Sequence, residues 1–129
     1  MAEQTILNPY FTPSVKAAGD LSSHIYKAVR YDSGGVRLAT QHIGSGPGYI
    51  LMNDPKSGQA CALNVAGNIT KAVAGTAVAI GQPCIIGTSA TLYATSATFI
   101  AGSDGGGVLL MGYADTACAS GELFNLRLV

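Results

Sequence analysis

Two histidines, three cysteines and seven carboxylates are the side chains of this 129-residue chain with the chemistry for proton transfer, metal binding or nucleophilic attack. His24 and His42 each stand alone. Neither has a second histidine a few places along or a Cys-x-x-Cys companion, the spacings that bring several ligands to one ion. Cys61, Cys84 and Cys118 are widely spaced among apolar and small residues, which suits reduced, buried thiols better than a disulfide framework. Glu3, Asp20, Asp32, Asp54, Asp104, Asp115 and Glu122 fall mostly at turn positions, where Asp binds nearby backbone N–H groups.

The loops offer no better chemistry. "GSGPGYI" has glycines suited to a phosphate loop but no Lys followed by Ser/Thr and no helix behind it. "SDGGG" brings a single acid, too few for a calcium loop. "GTSATLYATSAT" is rich in hydroxyls yet contains no G-x-S-x-G elbow, and a serine without a base is a weak nucleophile. The expectation is a protein that is not an enzyme and uses no cofactor or metal.

The elements that carry these residues are short strands. Residues 1–20 read as an extended N-terminal arm, since Pro9 and Pro13 disfavour helix. Residues 21–129 read as a single β domain, for which 129 residues supply enough core. "SHIYKAVRY" alternates with period two from residue 23 to 31, "DSGG" turns, and "VRLAT" returns as a hairpin. Strands follow at 59–67, 68–74, 77–87, 91–95, 107–114 and 122–129, with one helical turn expected in "DTACAS". In the last strand Phe124, Leu126 and Leu128 form an apolar row that requires a core, whereas "QACALNV" is apolar on both faces and must be covered on both. The spacing predicts an all-β fold, a small antiparallel barrel or sandwich. "GYILMN" followed by "SGQACALNV", and "GVLLMG" followed by "SGELFNLRLV", form a weak internal repeat.

Composition narrows the partners. Seven basic residues balance seven acidic ones, and charged residues make up only 11% of the chain. A nucleic-acid surface needs clustered Lys and Arg, so that partner is not expected. No apolar run has the length of a membrane span, and "MAEQTILNPYFTP" lacks the pattern of a secretory signal. So little charge suits a surface covered by another protein.

Three stretches in order, "AAGDLSSHIYKAVRYDSGGVRLAT", "VAGNITKAVAGTAVAIGQPCIIG" and "GVLLMGYADTACASGELFNLRLV", resemble the capsid decoration, or cement, proteins of tailed bacteriophages. The resemblance spans about residues 17–129; "HIGSGPGYILMNDPKSGQ" and "SATFIAGSDGGG" depart from it. It implies a structural virion protein without a catalytic site. Such a protein binds the outer surface of the assembled head and stabilises contacts between major capsid subunits, after a period in the host cytoplasm during assembly. Self-association is expected, as a homotrimer or a dimer.

Exposure picks the contact residues: Tyr10 and Phe11 on the arm, and loop tips at Pro47, at Asp54 and Lys56, and at Phe99 and Ile100. The alternatives are another virion component, a tail or fibre part, and a small-ligand-binding β-barrel. The barrel would gather convergent polar groups such as His24, Tyr26 and Arg30 in one pocket.

Overall fold

The apolar row at the end of the chain builds one wall of a core. In the computed structural model, which describes residues 10–39, 49–64, 67–87, 89–95 and 110–129, Phe124, Leu126 and Leu128 are buried while Leu123 and Arg127 face outward. The described residues form strands β1 (Tyr10–Lys16), β2 (Ala28–Asp32), β3 (Gly35–Leu38), β4 (Tyr49–Leu51), β5 (Ala60–Asn64), β6 (Ile69–Val73), β7 (Pro83–Ile86), β8 (Leu92–Ala94), β9 (Leu110–Ala114) and β10 (Leu123–Leu128). They make two antiparallel five-stranded sheets, in the orders β1-β5-β4-β2-β3 and β6-β10-β9-β7-β8. The fold is all-β. The sheets pack on one another like a sandwich and do not close into one barrel.

The two strand orders are one order written twice, with β6 to β10 standing in place of β1 to β5. The backbone hydrogen bonds repeat with them. Ala17 N–H donates to the Gln59 carbonyl as Ala74 N–H does to Glu122, each at 2.9 Å. Met52 N–H donates to Ala62 as Asp115 N–H does to Asn125. In both sheets the outer strands meet through one parallel bridge, Ala17 with Val36 and Ala74 with Leu92, so each sheet curls around its own inner side. The sequence repeat is the visible part of this duplication: its copies are β4–β5 and β9–β10.

Four tight turns mark the duplication most clearly. They lead into β2, β5, β7 and β10, and in each the fourth residue's N–H donates to the first residue's carbonyl: Lys27 to His24, Gln59 to Lys56, Gln82 to Ala79, Glu122 to Ala119. The third residue has φ between 69° and 87°, and is Gly58, Gly81 or Gly121 in three turns but Tyr26 in the first. In the three glycine turns the fourth side chain, Gln59, Gln82 or Glu122, accepts from the first residue's N–H at 2.8 to 3.0 Å. In the first turn Lys27 Nζ instead lies 3.3 Å from His24 Nδ1.

Each sheet buries an inner side. Val29, Val36, Leu51, Cys61 and Leu63 form the core of the first. Their counterparts in the second, Cys84, Leu92, Ala114, Phe124 and Leu126, belong to a larger core that also takes Ala28, Ala39 and Ile50 from the outer side of the first sheet. The sheets thus meet at a seam, the outer side of one against the inner side of the other. Strand β5 is therefore covered on both faces, as its composition requires. The buried polar side chains at the seam are satisfied: Asn68 Nδ2 donates to Asn64 Oδ1 at 2.7 Å, and the Thr70 hydroxyl lies 3.0 Å from Met52 Sδ and 3.1 Å from the Lys71 carbonyl.

Several expectations are corrected. Residues 23–31 are not one strand, because the turn at 24–27 precedes β2 and places His24 in the turn. For the same reason the run 77–87 is a turn followed by the short β7. "DTACAS" makes no helical turn; Cys118 there exchanges two backbone hydrogen bonds with Val78, each 3.0 Å, which holds that loop extended. Apart from these corrections, Tyr10 to Lys16, in the stretch read as an extended arm, pair with β5 as the edge strand of the first sheet, with Tyr10 opposite Leu63 and Phe11 opposite Ala62.

Candidate contact surface

The loops at one end of each sheet are equivalent in position and differ in how much charge they carry. In the first sheet this end carries Asp20, His24, Lys27, Asp54 and Lys56, joined where Leu21 N–H donates to the Pro55 carbonyl at 2.9 Å. Hydrogen bonds from Ser22, side chain first and backbone second, hold the Asp20 carboxyl below its ordinary value, with smaller contributions from Lys56 and His24. In the second sheet the matching bond runs from Val78 N–H to the Cys118 carbonyl at 3.0 Å, and the matching positions are Ala77, Ala79, Gln82, Ala117 and Ala119. Ile80, 72% exposed, tops this end, whose charged side chain is Glu122 in the Ala119–Glu122 turn. Asp54 and Lys56 are exposed on the charged end. Pro47, Phe99, Ile100 and His42 lie outside the described residues, and of Tyr10 and Phe11 only the backbone placement in β1 is described.

The outer face of the second sheet is the other open surface. Across it Ile69 on β6, Arg127 on β10 and Tyr113 on β9 lie side by side in register. Ile69 is 47% exposed, Tyr113 41%, and Leu123 and Val129 flank them in the open. Arg127 Nη2 is 3.3 Å from Asp115 Oδ1; with both side chains near half exposure, this pair contributes little to stability. A tyrosine and an arginine among aliphatic neighbours is the composition found at the centres of protein interfaces. Sequence reasoning missed this face. Its signal was the outward row Leu123, Arg127 and Val129 of the last strand, which carries three large side chains on the side opposite the core.

Chemical sites find less support. A groove of about 320 Å³ is lined by Gly67, Asn68, Ile69 and Arg127, and its single charged group is already paired with Asp115. His24, Tyr26 and Arg30 do not line it: the first two share a turn, and Arg30 is exposed on β2 opposite Arg37. Among the described residues no three His, Cys, Asp or Glu side chains cluster as metal ligands. Cys61 and Cys84 are buried and Cys118 half-buried, all as free thiols. Burial pushes the Cys84 thiol up to about 12, with a smaller push from Cys118, and it raises Cys61 as well. A thiol that stays protonated at neutral pH is a poor nucleophile and metal ligand.

No family model and no curated protein matches the chain. Among solved structures, the chain is similar to the head fiber gp8.5 N base of bacteriophage phi29, with a TM-score of 0.66 and 16% identity over 93% of this chain and 95% of that one. At that identity the likeness is one of fold, and it extends over nearly the whole of both chains.

Proposed function

We propose that this chain is a structural protein of a tailed-phage virion. It binds the outer surface of the assembled head and stabilises contacts between major capsid subunits, as a homo-oligomer and most simply a homotrimer. The observation that carries this reading is the near-complete fold match to the base of a phage head fibre, taken with the decoration-protein resemblance of residues 17–129. Low charge and two open apolar surfaces suit the task. A protein that binds the finished shell and not dispersed coat raises shell stability by mass action, by about 2.7 kcal/mol per site at a hundredfold excess over Kd.

The same observation favours a second reading within the class: a base that seats a fibre on the head, with no role in holding the shell together. Co-sedimentation of the full chain with purified heads, and with dissociated coat subunits, tests the first proposal. Binding to heads alone, with a rise in the temperature at which they open, is the expected result. Binding to heads without that rise would move the assignment to a fibre base. Absence of binding to either would remove the head assignment.

A further inference from the structure

Resting on the head-binding reading above, we propose that the chain meets the assembled head through the loop end of its first sheet, with the ring of Tyr26 at the centre of the contact. The duplicated turns show what this stretch looks like when only the fold is served. Before β5, β7 and β10 the third turn residue is Gly58, Gly81 or Gly121, and the fourth is a Gln or Glu whose side chain accepts from the first residue's N–H. The turn before β2 departs at both positions. Tyr26 stands at φ 69°, a left-handed backbone that a bulky side chain adopts only under strain, and Lys27 carries no acceptor with which to close the turn.

Packing within the fold explains neither departure. Tyr26 is half-buried, but among the described residues its ring joins neither core and its hydroxyl has no hydrogen-bond partner. The fold uses only its backbone: the N–H donates to the Leu51 carbonyl at 2.7 Å, and the carbonyl accepts from Val73 N–H across the seam at 3.1 Å. Glycine would make both bonds without strain. Ala90, the other non-glycine residue with positive φ (63°), is different: it is fully buried, and its carbonyl accepts from Ala28 N–H at 2.8 Å. A strained residue whose side chain the fold does not need marks a place where that side chain serves a contact. Bonded on both sides, the Tyr26 backbone holds the ring in position before a partner arrives, which lowers the entropy cost of binding.

The surroundings fit a protein partner. The bond from Leu21 N–H to the Pro55 carbonyl brings the loops around Asp20 and Lys56 together, and the turn lies beside them, with Lys27 Nζ 3.3 Å from His24 Nδ1. Asp20 and Asp54 balance Lys27 and Lys56 in charge, which suits a protein surface of mixed charge and offers no grip on a polyanion. An aromatic ring with a free hydroxyl, set among polar groups, is the usual anchor of such a contact. The matching end of the second unit has Gly81 in place of Tyr26 and alanine in place of Asp20, His24, Asp54 and Lys56. It lacks the anchor, so the two ends of the chain are not interchangeable and the first is the one that meets the head.

Co-sedimentation of the full-length chain with purified heads, read as Kd, tests this with Tyr26→Gly, Ala90→Gly and Tyr113→Ala, each checked for a cooperative melt. Tyr26→Gly is expected to melt no lower than wild type, because the strain is gone, and to bind heads about tenfold more weakly or worse. Ala90→Gly, which relieves the same kind of strain inside the fold, and Tyr113→Ala, on the outer face of the second sheet, are expected to bind as wild type does. Should Tyr26→Gly fail to melt cooperatively, Tyr26→Asn replaces it, since asparagine also takes the left-handed backbone. A wild-type chain that does not bind heads would remove the head-binding reading and the Tyr26 contact together. Where wild type binds, equal binding by Tyr26→Gly, or a greater loss in Tyr113→Ala than in Tyr26→Gly, would overturn the Tyr26 contact alone. A melting temperature for Tyr26→Gly well below that of wild type would also overturn it, because the ring would then belong to the fold.

Discussion

Ile50 and Tyr113 occupy the same position in the two units, so truncating each to alanine measures what the seam is worth. Ile50 is fully buried, in one core with Ala28, Ala39, Leu92 and Leu126. Ile50→Ala removes three carbons at about 0.8 kcal/mol each, near 2.4 kcal/mol of transfer free energy. Rigid strands from both sheets surround the vacated space, so a cavity persists and raises the total to about 3–4 kcal/mol. Tyr113 is already 41% exposed, and its truncation opens no enclosed cavity, so Tyr113→Ala in dilute protein costs at most about 1 kcal/mol. With no tryptophan in the chain, urea unfolding is best followed by far-ultraviolet circular dichroism or tyrosine fluorescence. The expected result is an unchanged slope with a lower midpoint for Ile50→Ala, and a melting temperature lower by roughly 10 °C. A cost below about 1 kcal/mol for Ile50→Ala, or equal costs for the two variants, would refute the seam as the centre of the larger core.

Other outcomes follow from single positions. A Cβ at Gly112 would collide with the Arg127 carbonyl and force β9 from β10, whereas one at Gly121 (φ +87°) meets nothing within 4 Å. Gly112→Ala is therefore expected to cost about 3 kcal/mol or more and Gly121→Ala about 1–2, which chemical denaturation can rank. The unfolded chain releases the Cys84 proton from about pH 9, while the folded chain holds it to about 12. Stability should accordingly fall as pH rises through that window and do so less in Cys84→Ala, read as the urea midpoint against pH. Below that window Cys61 and Cys84 should resist a thiol reagent in the folded state and react on unfolding, and rapid native labelling of either would contradict their burial.

Legibility in the sequence followed the chemistry of each segment. Phe124, Leu126 and Leu128 were readable because polar or charged residues separate them, and "QACALNV" announced two covered faces by having no polar side. The second half of the repeat was visible because "SG" stands at both turns before β5 and β10. The first half was hidden because inner positions need only apolar volume: Val29 matches Cys84 and Tyr31 matches Ile86, pairs with no identity to detect. The turn before β2 was missed for a particular reason. Tyr26 holds the left-handed conformation that glycine holds in the other three turns, so no glycine interrupts the alternation of "SHIYKAVRY". Which outer side would be covered was not readable, since Ile50 and Tyr113 are both ordinary strand residues and only the packing of one unit on the other separates them.

The most direct test of the account is the copy number of this chain in purified virus particles, relative to the major coat protein, by quantitative mass spectrometry. A head-surface protein predicts many copies in fixed proportion to coat, and that proportion identifies the symmetry positions it occupies. A handful of copies, or none, would contradict it.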